Sequence, residues 1–142
     1  MDLIRGDIAD YRLDESGILY SYSKSILRTI PLMEANAALV KQITGDKPVP
    51  LLIFLKNSPM PDKATRQYSK LKIPEIYSAM ATVSKPGLSA FIMKLLFAFQ
   101  KPPIPMKSFT NEEDAKAWLL LIDNRWIRHR NVDSQHYLWQ SS

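Results

Sequence analysis

The sequence has no cysteine, which excludes disulfide bonds, thiol catalysis and cysteine-ligated zinc sites. It has two histidines, His129 and His136, and both lie close to the C-terminus. The four glycines are widely separated along the chain, so they cannot form a glycine-rich phosphate-binding loop. These absences argue against thiol enzymes and nucleotide-dependent enzymes, and we predict that the chain binds no cofactor and is not an enzyme.

Long apolar runs are also absent. The longest run, residues 88–99, is interrupted by Lys94 and would span about 18 Å as a helix. The hydrocarbon core of a bilayer is about 30 Å thick, so this run is too short for a conventional transmembrane helix. No apolar segment follows a basic start at the N-terminus, so no signal peptide is predicted. We expect a cytoplasmic protein, which agrees with the lack of cysteine.

The residues that are present are typical of one globular domain. Of the 142 residues, 46% are hydrophobic and 23% are charged, which is sufficient for a buried core. The formal net charge is +5, but the lysines and arginines are spread along the chain. Nucleic-acid binding requires a focused basic face, so we predict no nucleic-acid partner.

The first part of the chain predicts a β-hairpin followed by a helix. Residues 8–13 and 18–23 have strand-type composition and flank a turn that contains glycine. Thr29 and Pro31 then predict the start of a helix, and Gly45 predicts its end. Its inward face is predicted to comprise Leu32, Ala35, Leu39 and Ile43.

The middle of the chain alternates between strands and helices. Residues 51–55 form a continuous apolar run, which predicts a central strand that is buried on both faces. A helix is predicted over residues 63–71, a strand over residues 78–83 and an apolar helix over residues 88–99. The inward face of the helix at residues 63–71 is predicted to comprise Ala64, Tyr68 and Leu71.

The last part predicts a short edge strand and a capped helix. Prolines precede residues 106–109, and residues 110–113 match a capping box, Thr-Asn-Glu-Glu. The inward face of the following helix is predicted to comprise Ala115, Trp118, Leu119 and Ile122. The order β-β-α-β-α-β-α-β-α predicts an α/β fold with a mostly parallel sheet and an antiparallel hairpin at its start.

Three features resemble the SpoIIAA-like family, which is related to STAS domains and compared in fold with CRAL-TRIO lipid-binding domains. They are Arg66 near the start of a helix, the strand at residues 79–83 that leads into an apolar helix, and the pattern at residues 102–119 of prolines, Phe, an acidic capped turn and Ala-x-x-Trp-Leu. The resemblance covers mainly residues 51–120. We assign residues 1–123 to a SpoIIAA-like domain and residues 124–142 to a basic, aromatic C-terminal tail.

The resemblance implies a non-catalytic binding or regulatory module that acts through protein–protein interaction. STAS anti-sigma-factor antagonists are switched by phosphorylation in an Asp-Ser-Ser type loop after a central strand. The matching loop, residues 56–62, has one serine, Ser58, and no Asp-Ser pair, so we predict that no serine switch operates here. Arg66 is interpreted as a partner for a nearby carboxylate or carbonyl, with anion binding as the alternative.

Other polar groups have simpler structural interpretations. The spacing of His129, Asp133 and His136 would place them on one face of a helix, but zinc sites normally have more ligands, so no metal is predicted. The acidic residues 112–114 are expected to stabilise the N-terminus of a helix. Trp118 is expected to pack in the core.

The apolar helix at residues 88–99 is nearly apolar on all sides, which requires burial on more than one side. Met93, Leu96 and Phe97 form a stripe of their own. We predict that this stripe joins two subunits in a homodimer. One alternative is contact with a lipid-like ligand or a membrane surface, which would make the chain a carrier or sensor. The other alternative is burial of the helix under the C-terminal tail.

Overall fold

The computed structural model describes residues 2–85 and 102–132, with side chains up to residue 122. Its helices and strands, in chain order, are β1 (Ala9–Leu13), β2 (Leu19–Ser23), α1 (Ile30–Thr44), β3 (Val49–Phe54), α2 (Lys63–Ile76), β4 (Tyr77–Val83), β5 (Met106–Phe109) and α3 (Glu112–Val132). The predicted α/β class and the order of these elements are confirmed. The helix predicted at residues 88–99 lies outside the described residues.

The five strands form one mixed sheet in the order β1-β2-β3-β4-β5. β1 and β2 pair antiparallel as the predicted hairpin, and β2 through β5 are parallel. β3 is the central strand and β5 is the short edge strand, as the sequence predicts. β3 begins at Val49, before Pro50, and the pairing register shifts between these two residues. Such an irregularity accommodates a proline, which has no N–H to donate.

Asp14 holds the turn of the β1–β2 hairpin. Its Oδ1 accepts hydrogen bonds from Ser16 N at 3.0 Å, Ser16 Oγ at 2.7 Å and Ile18 N at 3.0 Å. Its Oδ2 lies 3.4 Å from Lys116 Nζ on α3. Although burial alone would raise the pKa of this carboxyl, the hydrogen bonds from Ser16 and Ile18 and the charge of Lys116 lower it overall.

We predict that Asp14→Ala lowers the free energy of unfolding by about 1 kcal/mol at neutral pH, because several hydrogen bonds of the turn are lost. The folded state lowers the pKa of Asp14. Its carboxylate therefore contributes fully to the stability of the fold above the ordinary pKa of 3.8, and this contribution is lost as the pH falls through the pKa of the folded state. Urea unfolding at neutral and acidic pH measures both effects. Glu15→Ala, at an exposed neighbouring position, is the control and should change little.

Helix α1 begins and ends where the sequence predicts, but its inward face differs. The Thr29 side chain accepts from Leu32 N at 3.4 Å, and Gly45 adopts a left-handed conformation with φ 73°. The fully buried residues are Asn36, Ala37 and Val40, whereas Ala35 is exposed. The predicted face of Leu32, Ala35, Leu39 and Ile43 is therefore wrong in part. Its Leu39 and Ile43 still pack against the core.

Helix α2 is longer than predicted and also buries a different face. Asp62 caps its N-terminus by accepting from Thr65 N at 2.8 Å, and the helix continues through Pro74 to Ile76. Its buried residues are Thr65 and Ile76, whereas Leu71 is 74% exposed. The predicted inward positions Ala64 and Leu71 are wrong. Thr65 lies on the inward face although its side chain carries a hydroxyl.

Helix α3 is capped one residue later than predicted. Asn111 Oδ1 accepts from Asp114 N at 2.9 Å, and Asn111 Nδ2 donates to Asp114 Oδ2 at 2.9 Å. Asn111 and Asp114 thus replace Thr110 and Glu113 as the reciprocal pair. The predicted inward residues Ala115, Trp118, Leu119 and Ile122 are all buried. The helix runs past residue 123, where we placed a domain boundary, and the division into domain and tail stays a prediction.

The sheet is covered on both faces. On one face, α1 and α2 pack over the strands, and the core includes Tyr11, Leu19, Leu51 and Met80. On the other face, α3 covers β3, β4 and β5, and the core residues are Ile18, Tyr20, Leu52, Ala79, Ala81, Ala115, Trp118, Leu119 and Ile122. In the described part of the chain, no helix has the length and apolar character needed to cross a membrane.

Candidate functional site

A cavity of about 160 Å³ lies between the sheet and helices α1 and α2. Its apolar wall includes Met33 and Ala37 from α1, Leu51 and Ile53 from β3, and Ile73 from α2. It extends to Lys56 and Pro59, which are exposed residues in the loop between β3 and α2. The cavity therefore has an apolar interior and reaches solvent beside this loop.

Two buried tyrosines and an asparagine form a polar cluster on the cavity wall. Tyr11 Oη donates to Asn36 Oδ1 at 2.6 Å. Tyr77 and Ser21 also hydrogen-bond to Tyr11, and Tyr77 hydrogen-bonds to Asn36. The cluster joins β1, β2, β4 and α1, so residues from four elements satisfy one another in the low-dielectric interior.

Burial determines the protonation of the two tyrosines. It raises the pKa of Tyr11, although the hydrogen bonds that Tyr11 forms with Asn36, Tyr77 and Ser21 oppose the shift. It also raises the pKa of Tyr77 well above the ordinary value of 10, and the neighbouring Tyr11 adds to that effect. Both phenols therefore stay neutral at physiological pH and act as hydrogen-bonding groups.

Arg28, in the connection from β2 to α1, is a partly buried cation on the cavity wall. Its Nη1 donates to Lys24 O at 2.6 Å and Ile26 O at 2.7 Å, and its Nη2 donates to Ile8 O at 3.0 Å. Among residues 2–85 and 102–122, no carboxylate forms an ion pair with it. Burial lowers its pKa from the ordinary value, as expected for a desolvated cation.

Three more basic side chains, Lys56, Arg66 and Lys72, line the same cavity, and among residues 2–85 and 102–122 no aspartate or glutamate does so. Arg66 Nη1 donates to Pro61 O at 2.6 Å. Hydrogen bonds to Thr65 lower the pKa of Asp62, and the charge of Arg66 contributes. Lys72 Nζ lies 3.5 Å from Glu75 Oε2 on the same helix. The wall therefore has a surplus of positive charge.

The residues predicted from the sequence fall in different places. Arg66 and Ser58 both line the cavity, and Arg66 bonds a carbonyl, which was one of its two predicted partners. Met93, Leu96 and Phe97 lie outside the described residues, so the predicted apolar interface stays a prediction. The side chain of His129 and all of Asp133 and His136 are likewise outside them. Within the part of the chain that is described, no cluster of His, Cys, Asp and Glu suits a metal ion.

Tyr11, Arg28, Asn36 and Tyr77 were not singled out from the sequence. Asn36 carries the clearest signal, because it is a polar residue between the apolar Met33, Ala37 and Val40 on a helical stripe. The tyrosines are residues typical of strands, so nothing in the sequence separates them from the other strand residues as members of a site. Only the folded sheet brings Tyr77 next to Tyr11.

The mixed five-stranded sheet with helices on both faces defines the class of the protein, which is the SpoIIAA-like fold. A crystal structure of an uncharacterized protein of the DUF3478 family with a SpoIIAA-like fold, from Shewanella loihica PV-4, is similar to this chain with a TM-score of 0.56 and 17% sequence identity. The similarity covers 84% of this chain and 98% of that chain. At this identity, the likeness supports the predicted fold only.

The chain belongs to the family described as Domain of unknown function (DUF7793), whose model matches residues 11–123. A comparison with curated proteins finds no match.

Proposed function

We propose that the chain is a non-catalytic binding module that takes a small apolar ligand into the cavity beneath α1 and α2. The observation that carries this proposal is the cavity itself, with a volume of about 160 Å³ and an apolar wall. An engineered apolar cavity of about 150 Å³ is large enough to bind benzene. Of the two functions predicted from the sequence, this cavity favours the ligand carrier or sensor, although the sequence predicted the ligand at the helix of residues 88–99 and not beneath α1 and α2.

The chemistry of the cavity wall supports a binding role. Catalysis would require an activated nucleophile or a base near the operating pH. The raised pKa values of Tyr11 and Tyr77 make their phenolates unavailable at neutral pH. Ser58 lines the cavity, but neither histidine lies in the described part of this wall to activate it. The neutral hydroxyl groups of Tyr11, Tyr77 and Ser58 can bind and orient a ligand by hydrogen bonding.

We further propose that Ser58 does not act as a phosphorylation switch. Helix α2 is capped by Asp62, so Ser58 lies several residues before the helix N-terminus, in a loop with Pro59 and Pro61. A phosphate on Ser58 would therefore lack the favourable backbone N–H groups that a helix start provides. This agrees with the absence of an Asp-Ser pair from the loop.

A second candidate function is a regulatory module that binds a protein partner or a second copy of the chain. The observation that favours it is the stripe of Met93, Leu96 and Phe97 in the sequence. Leaving such large apolar side chains in water forfeits about 1.5–3 kcal/mol for each one, which association would recover. If the stripe joins two copies of the chain, the protein would be a homodimer without a ligand.

Native mass spectrometry of freshly purified protein separates the two functions. We expect part of the population to carry the additional mass of a small bound molecule. Ala37→Phe should remove this mass, because Ala37 lies on the cavity wall and a phenyl ring would occupy the space. Ala38→Phe is the matched control, because this neighbouring residue on α1 is exposed, and it should retain the bound mass.

A clean dimer without additional mass would contradict the ligand proposal and favour the regulatory module. A clean monomer without additional mass would contradict the ligand proposal and the homodimer. Circular dichroism of the Ala37→Phe and Ala38→Phe variants would verify that each is folded before the masses are compared.

A further inference from the structure

The cavity has an unusual charge distribution for an apolar site. Of the residues that the structure describes, four basic side chains line it, Arg28, Lys56, Arg66 and Lys72, and no carboxylate does. Two of the four charges are partly balanced from outside the wall, Arg66 by the nearby Asp62 and Lys72 by Glu75. In the portion of the chain that is described, Arg28 and Lys56 form no ion pair.

The topology brings three of these cations to the same edge of the sheet. Arg28 follows the carboxyl end of β2, and Lys56 follows the carboxyl end of β3. Since β2 and β3 are parallel neighbours, both residues leave the sheet at one edge. Arg66 lies in the first turns of α2, directly after the loop that leaves β3 at that edge. The positive charge is therefore concentrated where the cavity reaches solvent.

The rest of the wall is suited to an aliphatic group. Met33, Leu51, Ile53 and Ile73 provide apolar contacts between the sheet and the two helices. Ser21 and Asn36 also line the wall, but both take part in the hydrogen-bonded tyrosine cluster. Because most of the wall is apolar, a ligand with polar groups along its whole length would lose hydration that the wall could replace only in part. An aliphatic chain would not have this cost.

We propose that the ligand is a small amphiphile with one anionic head group and an aliphatic tail. The head lies at the cavity opening beside Arg28, Lys56 and Arg66, and the tail enters between α1, α2 and β3. A partly desolvated cation without a carboxylate partner is stabilised by an external anion, and a guanidinium can bind an oxyanion through several N–H groups. This inference rests on the proposed function and adds the charge and the position of the head group.

Isothermal titration calorimetry with octanoate and with octanol, on the full-length protein, tests the proposal. The two probes have the same tail, but only octanoate has an anionic head. We expect octanoate to bind at least about tenfold more tightly than octanol, which is the usual gain from one charge-assisted hydrogen bond over a neutral one. The advantage should fall as salt is added, because the head group lies near solvent.

Two variants locate the head group. Arg66→Gln should weaken octanoate binding by about tenfold and leave octanol binding unchanged. Lys56→Gln, in an exposed loop position, should weaken octanoate binding by a smaller factor and carries little risk to folding. Lys63→Gln is the matched control, because it removes the same charge from an exposed position of α2 outside the cavity wall.

The outcomes distinguish this inference from the proposed function. If neither octanoate nor octanol binds, the cavity is not a site for apolar ligands and the proposed function fails. If both probes bind equally and neither Arg66→Gln nor Lys56→Gln changes their binding, the cavity remains a ligand site. The inference that its ligand has an anionic head group would then be overturned. An equal loss of octanoate binding in Lys63→Gln and Arg66→Gln would attribute the effect to net charge and would also overturn it.

Discussion

Leu119→Ala is expected to lower the free energy of unfolding by about 2–5 kcal/mol, the usual cost of removing a large buried aliphatic side chain. Leu119 has no exposed surface and lies on α3 within the core that includes Tyr20, Leu52 and Ala81. The alanine neighbours cannot extend to fill the space, so a cavity would remain. The variant should unfold at a clearly lower urea concentration, with a similar dependence on urea.

The same helix provides a matched control for this prediction. Leu121 is 51% exposed, so Leu121→Ala makes the same chemical change on the solvent side and should cost much less. Equal losses in the two variants would mean that α3 does not pack on the sheet through the face of Ala115, Trp118 and Leu119. The comparison therefore tests how the second face of the sheet is covered.

Local signals in the sequence were sufficient for most elements of the fold. The strand at β3 is a continuous apolar run, and the hairpin has turn residues between two strand patterns. Helix α1 has Thr29 at its start and Gly45 at its end, and both residues cap it as expected. The turn and cap residues act through nearby backbone groups, and the apolar run is complete within one short segment, so the local sequence contains the information.

The faces of α1 and α2 could not be derived from apolar residues alone. Asn36 and Thr65 are polar and yet buried, whereas Leu71 is apolar and 74% exposed. A prediction that uses apolar positions alone therefore selects a different face of the helix from the one that is buried. The inward face of α3 was predicted correctly, because its buried residues up to residue 122 are all apolar or aromatic. Burial of polar residues depends on partners that other elements supply.

The candidate site was only partly predictable for a related reason. The resemblance to the SpoIIAA-like family points to Arg66, near the start of a helix, and to Ser58, in the loop after a central strand. Tyr11, Asn36 and Tyr77 are far apart in the sequence and meet only when β1, β4 and α1 have packed together. Their hydrogen bonds result from tertiary structure, and no local pattern encodes them.

Asn36→Ala is expected to lower the free energy of unfolding by about 1–3 kcal/mol, because it removes one hydrogen-bond partner from each of two buried hydroxyl groups. Asn36 accepts the hydrogen bond of Tyr11 at 2.6 Å and also hydrogen-bonds to Tyr77. Water cannot replace it without entering a largely apolar cavity. Gln42→Ala is the control, because Gln42 is an exposed amide on the same helix, and urea unfolding should show almost no change for it.

A double-mutant cycle separates the hydrogen bond from the packing of Asn36. Tyr11→Phe alone should cost less than Asn36→Ala, because it removes only the hydroxyl that donates the hydrogen bond and leaves the ring in place. In the background of Asn36→Ala, Tyr11→Phe should cost still less or become stabilising, because the hydroxyl that it removes has already lost its Asn36 partner. The two single costs should therefore sum to more than the cost of the double variant. Simple additivity would show that the Tyr11–Asn36 bond contributes nothing, and the cluster would then be a by-product of packing.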